Sequence, residues 1–141
     1  MQRRDNGRPE LVYGRRCKQD EIEHEIRITD LALYFKDSPF TPNVAVGRTV
    51  ADALMIRDGK RCYLEVDNSG KMTTKQMTAK WKRYEGVEGF ILVVALTETR
   101  MQRLRKGAEL VKNIALFTTF KRLWSGEAEP WIDWYGTTTA I

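Results

Sequence analysis

The sequence has few of the residues that build zinc sites and disulfide frameworks. It contains two cysteines, Cys17 and Cys62, which lie far apart, and a single histidine, His24. Neither cysteine has cysteine or histidine partners at the spacing of a zinc site, which argues against a zinc-binding module. We expect both cysteines to be reduced thiols, as is usual for proteins of the cytoplasm.

Long apolar runs are also missing. The longest, Phe90 to Leu96, is far shorter than the roughly 20 residues of a membrane-spanning helix, and its flanks favour a buried strand. The amino terminus has basic residues with no apolar stretch behind them, so it does not read as a secretory signal. We therefore expect a cytoplasmic protein that makes no membrane contact.

The chain has an excess of positive charge and the size of one domain. Its 141 residues carry a net charge of +5, and 42% of them are hydrophobic, an ordinary value for a globular protein. Such a charge favours an anionic partner, of which nucleic acid is the commonest for a domain of this size. We expect a flexible basic arm over 1–10 and a single domain over 11–141 with a Trp-rich tail.

Hydrophobic patterning predicts helices that alternate with strands. Acidic residues crowd the first turns of a predicted helix over 20–36, and 37–48 is predicted to be a loop because it contains two prolines and a glycine. Further helices are expected over 71–85 and from Thr97 or Thr99 onward, and strands over 90–96 and 114–120. This order predicts an α/β fold with a mixed central sheet flanked by helices.

The clearest local signal is a β-hairpin that gathers three carboxylates. Two strand-like runs, 50–57 and 60–67, are joined by Asp58-Gly59, the pair preferred in a type I′ turn. The resulting register places Asp52 directly opposite Glu65, and Asp67 projects from the same face. A divalent cation would offset the repulsion between these anions, because carboxylate oxygens suit Mg²⁺ or Mn²⁺. The alternative is that Asp52 and Asp67 are solvated and Glu65 pairs with a lysine.

The helix after the hairpin offers that lysine. With Met77 at the centre of its buried stripe, Lys80 falls about 60° away, whereas Lys71, Lys75 and Lys82 fall beyond about 120° and face solvent. We expect the Lys80 ammonium to lean over the sheet toward the carboxylates. The alternative is that Lys80 only extends its stem along the apolar surface and leaves its charge in water.

These residues resemble the PD-(D/E)XK nucleases, whose pattern is an aspartate, a hairpin and then Glu-x-Lys. Here Asp52 follows an alanine, and Glu65-Val66-Asp67 stands in place of Glu-x-Lys. Within that group the chain resembles the replication-relaxation family of plasmid and mobile-element proteins over roughly residues 22–120. The residues that carry this resemblance are His24, Ala51-Asp52-Ala53, Leu64-Glu65-Val66-Asp67 and Lys80-Trp81-Lys82-Arg83-Tyr84.

The resemblance implies a restriction-endonuclease-like fold and a metal-dependent DNA endonuclease or nickase of plasmid or mobile-element replication or transfer. Asp52, Glu65 and Asp67 would bind Mg²⁺ or Mn²⁺ and, with Lys80, form the catalytic site. Because Asp67 occupies the usual lysine position, cleavage requires Lys80 to replace that lysine. If it does not, the domain is an inactive DNA-binding accessory module with the same fold.

The remaining assignments concern residues around this site. His24, at the start of an apolar helical stripe, is a candidate to help bind metal or water, and the alternative is a core histidine. Tyr84 is expected to pack and order the site rather than act as a nucleophile. The residues expected to contact the DNA backbone are Lys75, Lys82, Arg100, Arg103 and Lys106.

The Trp-rich tail has three interpretations. Its four large aromatic residues are Trp124, Trp131, Trp134 and Tyr135. They could stack on nucleic-acid bases, pack into the core or form the contact of a homodimer, and the last two are the commoner roles of tryptophan. The glycine and proline between them predict an irregular flap or a short hairpin.

Overall fold

A mixed seven-stranded sheet forms the centre of the protein in a computed structural model, which describes residues 9–68 and 70–141. The strands follow one another across the sheet in chain order, with β3, β4 and β5 parallel and the other neighbours antiparallel. They are β1 (Phe40–Val46), β2 (Thr49–Arg57), β3 (Lys60–Asp67), β4 (Phe90–Ala95), β5 (Ala115–Thr119), β6 (Trp131–Asp133) and β7 (Thr138–Thr139). The prediction of an α/β fold with a mixed sheet is confirmed.

Four α-helices are described, namely α1 (Pro9–Tyr34), α2 (Thr74–Lys82), α3 (Glu98–Lys106) and α4 (Phe120–Trp124), with a 3₁₀ turn at Glu109–Val111. Three of them begin after a threonine whose hydroxyl accepts a hydrogen bond from the backbone N–H three residues later, a standard helix cap. These threonines are Thr73, Thr97 and Thr119. In the described parts of the chain, no helix is both long enough and apolar enough to cross a bilayer.

The structure corrects the predicted start of the first helix and the predicted loop after it. Helix α1 begins at Pro9, well before the predicted start at residue 20, and proline is favoured in the first turn because its missing N–H would be unpaired there. The predicted loop over 37–48 contains β1, an edge strand in which Pro42 is tolerated. Residues 1–8 of the predicted basic arm lie outside the described residues.

The carboxyl-terminal part differs from the prediction in a smaller way. The strand predicted over 114–120 ends at Thr119, where the threonine cap starts α4. The Trp-rich tail then forms β6 and β7, so the hairpin is the correct one of its two predicted conformations. Trp131 lies in the core with 1% of its surface exposed, whereas Trp124 is 53% exposed. The tail therefore divides into a core part and a surface part.

Helices cover both faces of the sheet. On one face α2 and α3 contribute Met77, Trp81, Tyr84, Met101 and Leu104 to the core. On the other face α1 and α4 contribute Ile28, Leu31, Phe35 and Leu123. The apolar stripes predicted for the first two helices are buried as expected. The α2 segment therefore packs on the sheet through the side that carries Met77, Trp81 and Tyr84.

The hairpin of β2 and β3 has the predicted register. Asp58 and Gly59 have φ angles of 53° and 75°, the left-handed values that a type I′ turn requires. The paired positions run from Arg57 with Lys60 to Ala53 with Leu64. The carboxylates of Asp52 and Glu65 therefore meet just beyond the last paired residues.

Gly89, immediately before β4, lies so close to β3 that a side chain there tests the packing of these two strands. A Cβ there would lie 2.8 Å from the Arg61 carbonyl oxygen, and its φ is 134°. We expect Gly89→Ala to lower the free energy of unfolding by about 3 kcal/mol or more, because backbone strain and a backbone clash add. Gly59→Ala, with nothing within 4 Å of the added Cβ, should lose only about 1–2 kcal/mol. Equal losses in urea unfolding would contradict the packing described here.

Candidate functional site

The site begins where β2 and β3 separate. After the last paired residue, Ala53, the side chain of Asp52 turns toward β3, and its Oδ2 accepts a hydrogen bond of 2.7 Å from the Val66 N–H. A side chain thus takes the place that a backbone carbonyl would hold in a continued ladder. The Asp52 carboxylate is fixed beside Glu65.

Glu65 is a buried carboxylate held by two residues of the α2 segment. Its side chain is 3% exposed, and the Lys80 ammonium lies 2.7 Å from Oε1. The Tyr84 hydroxyl, one helical turn further on, donates a hydrogen bond to Oε2. The predicted direction of Lys80 is confirmed, and its catalytic role stays a prediction. The sequence indicated that Tyr84 orders the site, but not this hydrogen bond.

Burial and charge shift the acidity of both partners. Burial raises the pKa of Glu65, with the nearby charge of Asp52 adding to the increase, while Lys80 and Tyr84 oppose it. The pKa of Tyr84 is raised strongly, first by burial and then by the Glu65 charge. Tyr84 therefore remains a protonated donor at neutral pH, which agrees with a positioning role.

His24 reaches the site from α1 on the opposite side. Its Nε2 lies 3.3 Å from Oδ1 of Asp52. The hydrogen bond that His24 donates to Asp52 raises the pKa of His24 despite partial burial. His24 thus contacts a site carboxylate and is partly exposed, at 31%, rather than lying in the core. Its part in binding metal or water stays a prediction.

The four side chains form a partly exposed group. His24 and Lys80 are 31% and 24% exposed, Asp52 is 19% exposed, and Glu65 is buried at 3%. The two helices approach from opposite faces of the sheet, and the group lies at the carboxyl-terminal end of β3. A phosphate group arriving there would meet an ammonium and two carboxylates.

Asp67 has a different partner from the one expected. Arg100 binds both of its carboxylate oxygens, through Nε at 2.7 Å and Nη2 at 3.1 Å, and also donates to the Met72 carbonyl. Both side chains are over 90% buried. Arg100 was predicted to contact the DNA backbone, but its guanidinium is enclosed by Asp67 and the Met72 carbonyl and is not placed to do so. Both oxygens of Asp67 face the buried guanidinium, so a metal ion could bind Asp67 only if Arg100 moved away.

The donor set of the site suits a hard divalent cation with few protein ligands. Oε1 of Glu65 is buried and has the Lys80 ammonium nearby, but no hydrogen bond of acceptable geometry reaches it among the described residues. In the same part of the chain there is no group of three or more His, Cys, Asp or Glu side chains that could hold a metal ion. Mg²⁺ is commonly held by only one or two carboxylates, with water and substrate phosphate completing its shell. Asp52 and Glu65 fit that pattern.

The other predicted DNA contacts lie on the outer surface. Lys75 and Lys82 of α2 are exposed, as are Arg103 and Lys106 of α3. This agrees with the predicted solvent face of α2. Their contact with DNA stays a prediction.

Two polar contacts near the site were not anticipated from the sequence. Arg27 of α1 donates through Nε to Asn68 Oδ1 at 2.7 Å, just after β3. Arg100 reaches Asp67 from the first turn of α3. The sequence could have indicated part of this, because residues that follow parallel strands lie together at the carboxyl-terminal end of the sheet. Periodicity alone does not reveal which helix supplies the partner.

Comparisons with known proteins add no relative. No protein-family model matches the chain, and no curated protein or solved structure shows significant similarity to it. Any functional conclusion therefore depends on the geometry of the site and on the motif resemblance.

The enclosed Asp67–Arg100 pair should behave differently from an exposed one. We expect Asp67→Ala to lower the free energy of unfolding by about 3–5 kcal/mol, because it leaves the Arg100 charge buried without a partner. Glu98→Ala, which breaks the partly exposed Glu98–Arg122 pair, should cost about 1 kcal/mol or less. Urea unfolding of both variants measures the difference, and similar losses would show that Arg100 is not enclosed.

Proposed function

We propose that the chain is a Mg²⁺-dependent endodeoxyribonuclease that cuts or nicks DNA. The observation that carries the proposal is the Lys80–Glu65 contact of 2.7 Å beside the Asp52 carboxylate, which is fixed by the Val66 N–H. Two acidic side chains and one lysine are thereby gathered at a solvent-accessible edge. Such an arrangement is suited to phosphodiester hydrolysis.

Each side chain has a role that follows from its contacts. Asp52 and Glu65 would hold the metal, which when bound lowers the pKa of a water and offsets phosphate charge. Lys80 would stabilise negative charge that develops on the phosphate. Tyr84 keeps the Glu65 carboxylate in place, and His24 orients Asp52.

The fold and the biological setting belong to the same proposal. The mixed sheet, in which the acidic hairpin lies beside the central strand β4 and helices cover both faces, supports a restriction-endonuclease-like fold of the PD-(D/E)XK type. The motif resemblance favours replication or transfer of a plasmid or mobile element. The exposed lysines and arginines of α2 and α3 would hold the DNA backbone, largely irrespective of sequence.

A second candidate function is a DNA-binding accessory module that does not cut. The same contacts also favour this function, because Lys80 already contacts one Glu65 oxygen and Tyr84 donates a hydrogen bond to the other. A carboxylate neutralised in this way has less need of a cation. Metal-dependent cleavage separates the two candidates.

Cleavage of supercoiled plasmid with Mg²⁺ tests the proposal. We expect Glu65→Ala to abolish nicking and Lys80→Ala to slow it by about 10²–10³-fold, because a positioned charge that stabilises the transition state is lost. Lys75→Ala and Lys82→Ala serve as matched controls on the same helix and should retain the rate at moderate salt.

Gel quantification of supercoiled, nicked and linear DNA gives the rates, and circular dichroism confirms that each variant is folded. Equal losses for Lys75→Ala and Lys80→Ala would contradict the role of Lys80. A wild-type protein that binds plasmid but never cuts it, with Mg²⁺ or Mn²⁺, would favour the accessory module.

A further inference from the structure

A row of aromatic side chains lies on the surface formed by α1 and α4. Trp124 contacts Tyr34 and Phe120, with ring centroids 5.3 Å and 5.8 Å apart. Trp124 is 53% exposed and Tyr34 is 41% exposed. We call these three residues the aromatic platform.

Positive charge borders the platform. The Arg27 guanidinium lies 5.4 Å from the centroid of the Phe120 ring, and Lys121 is exposed beside it. A shallow cleft of about 300 Å³ lies here, lined by Arg27, Asp30, Phe120, Lys121 and Trp124. Two cations against one carboxylate, next to the exposed rings of Trp124 and Tyr34, match the combination that single-stranded nucleic acid requires.

One end of the platform lies near the site described above. On α1, Arg27 follows His24 by one helical turn, and Tyr34 lies about 15 Å beyond His24 along the axis. His24 contacts Asp52, whereas Arg27 contacts Asn68 just after β3. Phe120 follows β5, whose carboxyl-terminal end lies two strands from that of β3. Arg27 and Phe120 therefore lie at the same end of the sheet as the carboxylates, on the face that α1 and α4 cover.

We propose that the aromatic platform is a nucleobase-binding subsite, on which unpaired bases of single-stranded DNA stack while the strand runs toward Asp52 and Glu65. The inference rests on the proposed nuclease function and narrows its substrate to DNA with an unpaired stretch beside the cut. Bases in a duplex are stacked on their neighbours and do not present their faces to Trp124. Arg27 and Lys121 would contact phosphates of the same strand.

The test compares DNA ligands that do and do not offer an unpaired base. Binding of a short fluorescent oligothymidylate is measured without divalent metal, beside an abasic strand of equal length and a duplex. We expect the oligothymidylate to bind more tightly than the abasic strand. Trp124→Ala should weaken its binding by about tenfold, the order expected for loss of a stacked base, and leave abasic binding unchanged. Tyr135→Ala removes an equally exposed aromatic ring elsewhere and should have no effect.

Intrinsic fluorescence supplies a second readout. Trp81 and Trp131 are each 1% exposed, and Trp134 is half-buried, so a stacked base should quench mainly Trp124. Quenching by oligothymidylate should disappear in Trp124→Phe, which keeps an aromatic ring and guards against misfolding of the alanine variant.

Several results would overturn the subsite. These are equal binding of oligothymidylate and abasic strand, equal effects of Trp124→Ala and Tyr135→Ala, or a dimer that Trp124→Ala dissociates without changing DNA binding. Plasmid cleavage without base-dependent binding would refute the subsite and leave the nuclease proposal standing. Base-dependent binding without cleavage would refute the nuclease proposal and leave the subsite as part of a non-cutting protein.

Discussion

The buried carboxylate of Glu65 is the constraint on which the arrangement of the site depends. A charged group with 3% exposure is expensive to remove from water, and it is kept only with partners that compensate it. Both partners come from the α2 segment, the Lys80 ammonium and the Tyr84 hydroxyl, which are one turn apart. The same segment buries Met77 and Trp81 against the sheet. Packing and charge compensation therefore require the same orientation of the helix.

Strand β3 contains two acidic residues, Glu65 and Asp67, whose surroundings differ. Asp67 is closed off by a bidentate contact with Arg100, and both side chains are buried. Glu65 is itself 3% exposed, but its partner Lys80 is 24% exposed, whereas Arg100, the partner of Asp67, is 8% exposed. An enclosed, satisfied ion pair contributes to structure, whereas a partly open one can exchange its partner for a metal or a phosphate. This contrast separates Asp67, a structural carboxylate, from Glu65, a candidate catalytic one, although both lie on β3.

Local chemistry in the sequence was sufficient to predict the hairpin, its register and the direction of Lys80. Each depends on contacts between near neighbours, namely the Asp58-Gly59 turn and the buried stripe through Met77. Edge strand β1 was missed because Pro42 within it and Pro39 before it indicate a loop unless a neighbouring strand is known. The Asp67–Arg100 pair was missed because its members are 33 residues apart and only the packing of α3 joins them. Long-range polar contacts leave little periodic trace in a sequence.

The most direct test of the account is the position of a divalent cation. In a crystal soaked with Mn²⁺, we expect an anomalous peak between Asp52 and Glu65, with oxygen ligands at about 2.0–2.3 Å and the Lys80 ammonium displaced from Oε1. Asp67 should remain bound to Arg100. A peak at Asp67, or no peak at Asp52 and Glu65 at a Mn²⁺ concentration that supports plasmid cleavage, would contradict the central claim that these two carboxylates hold the metal.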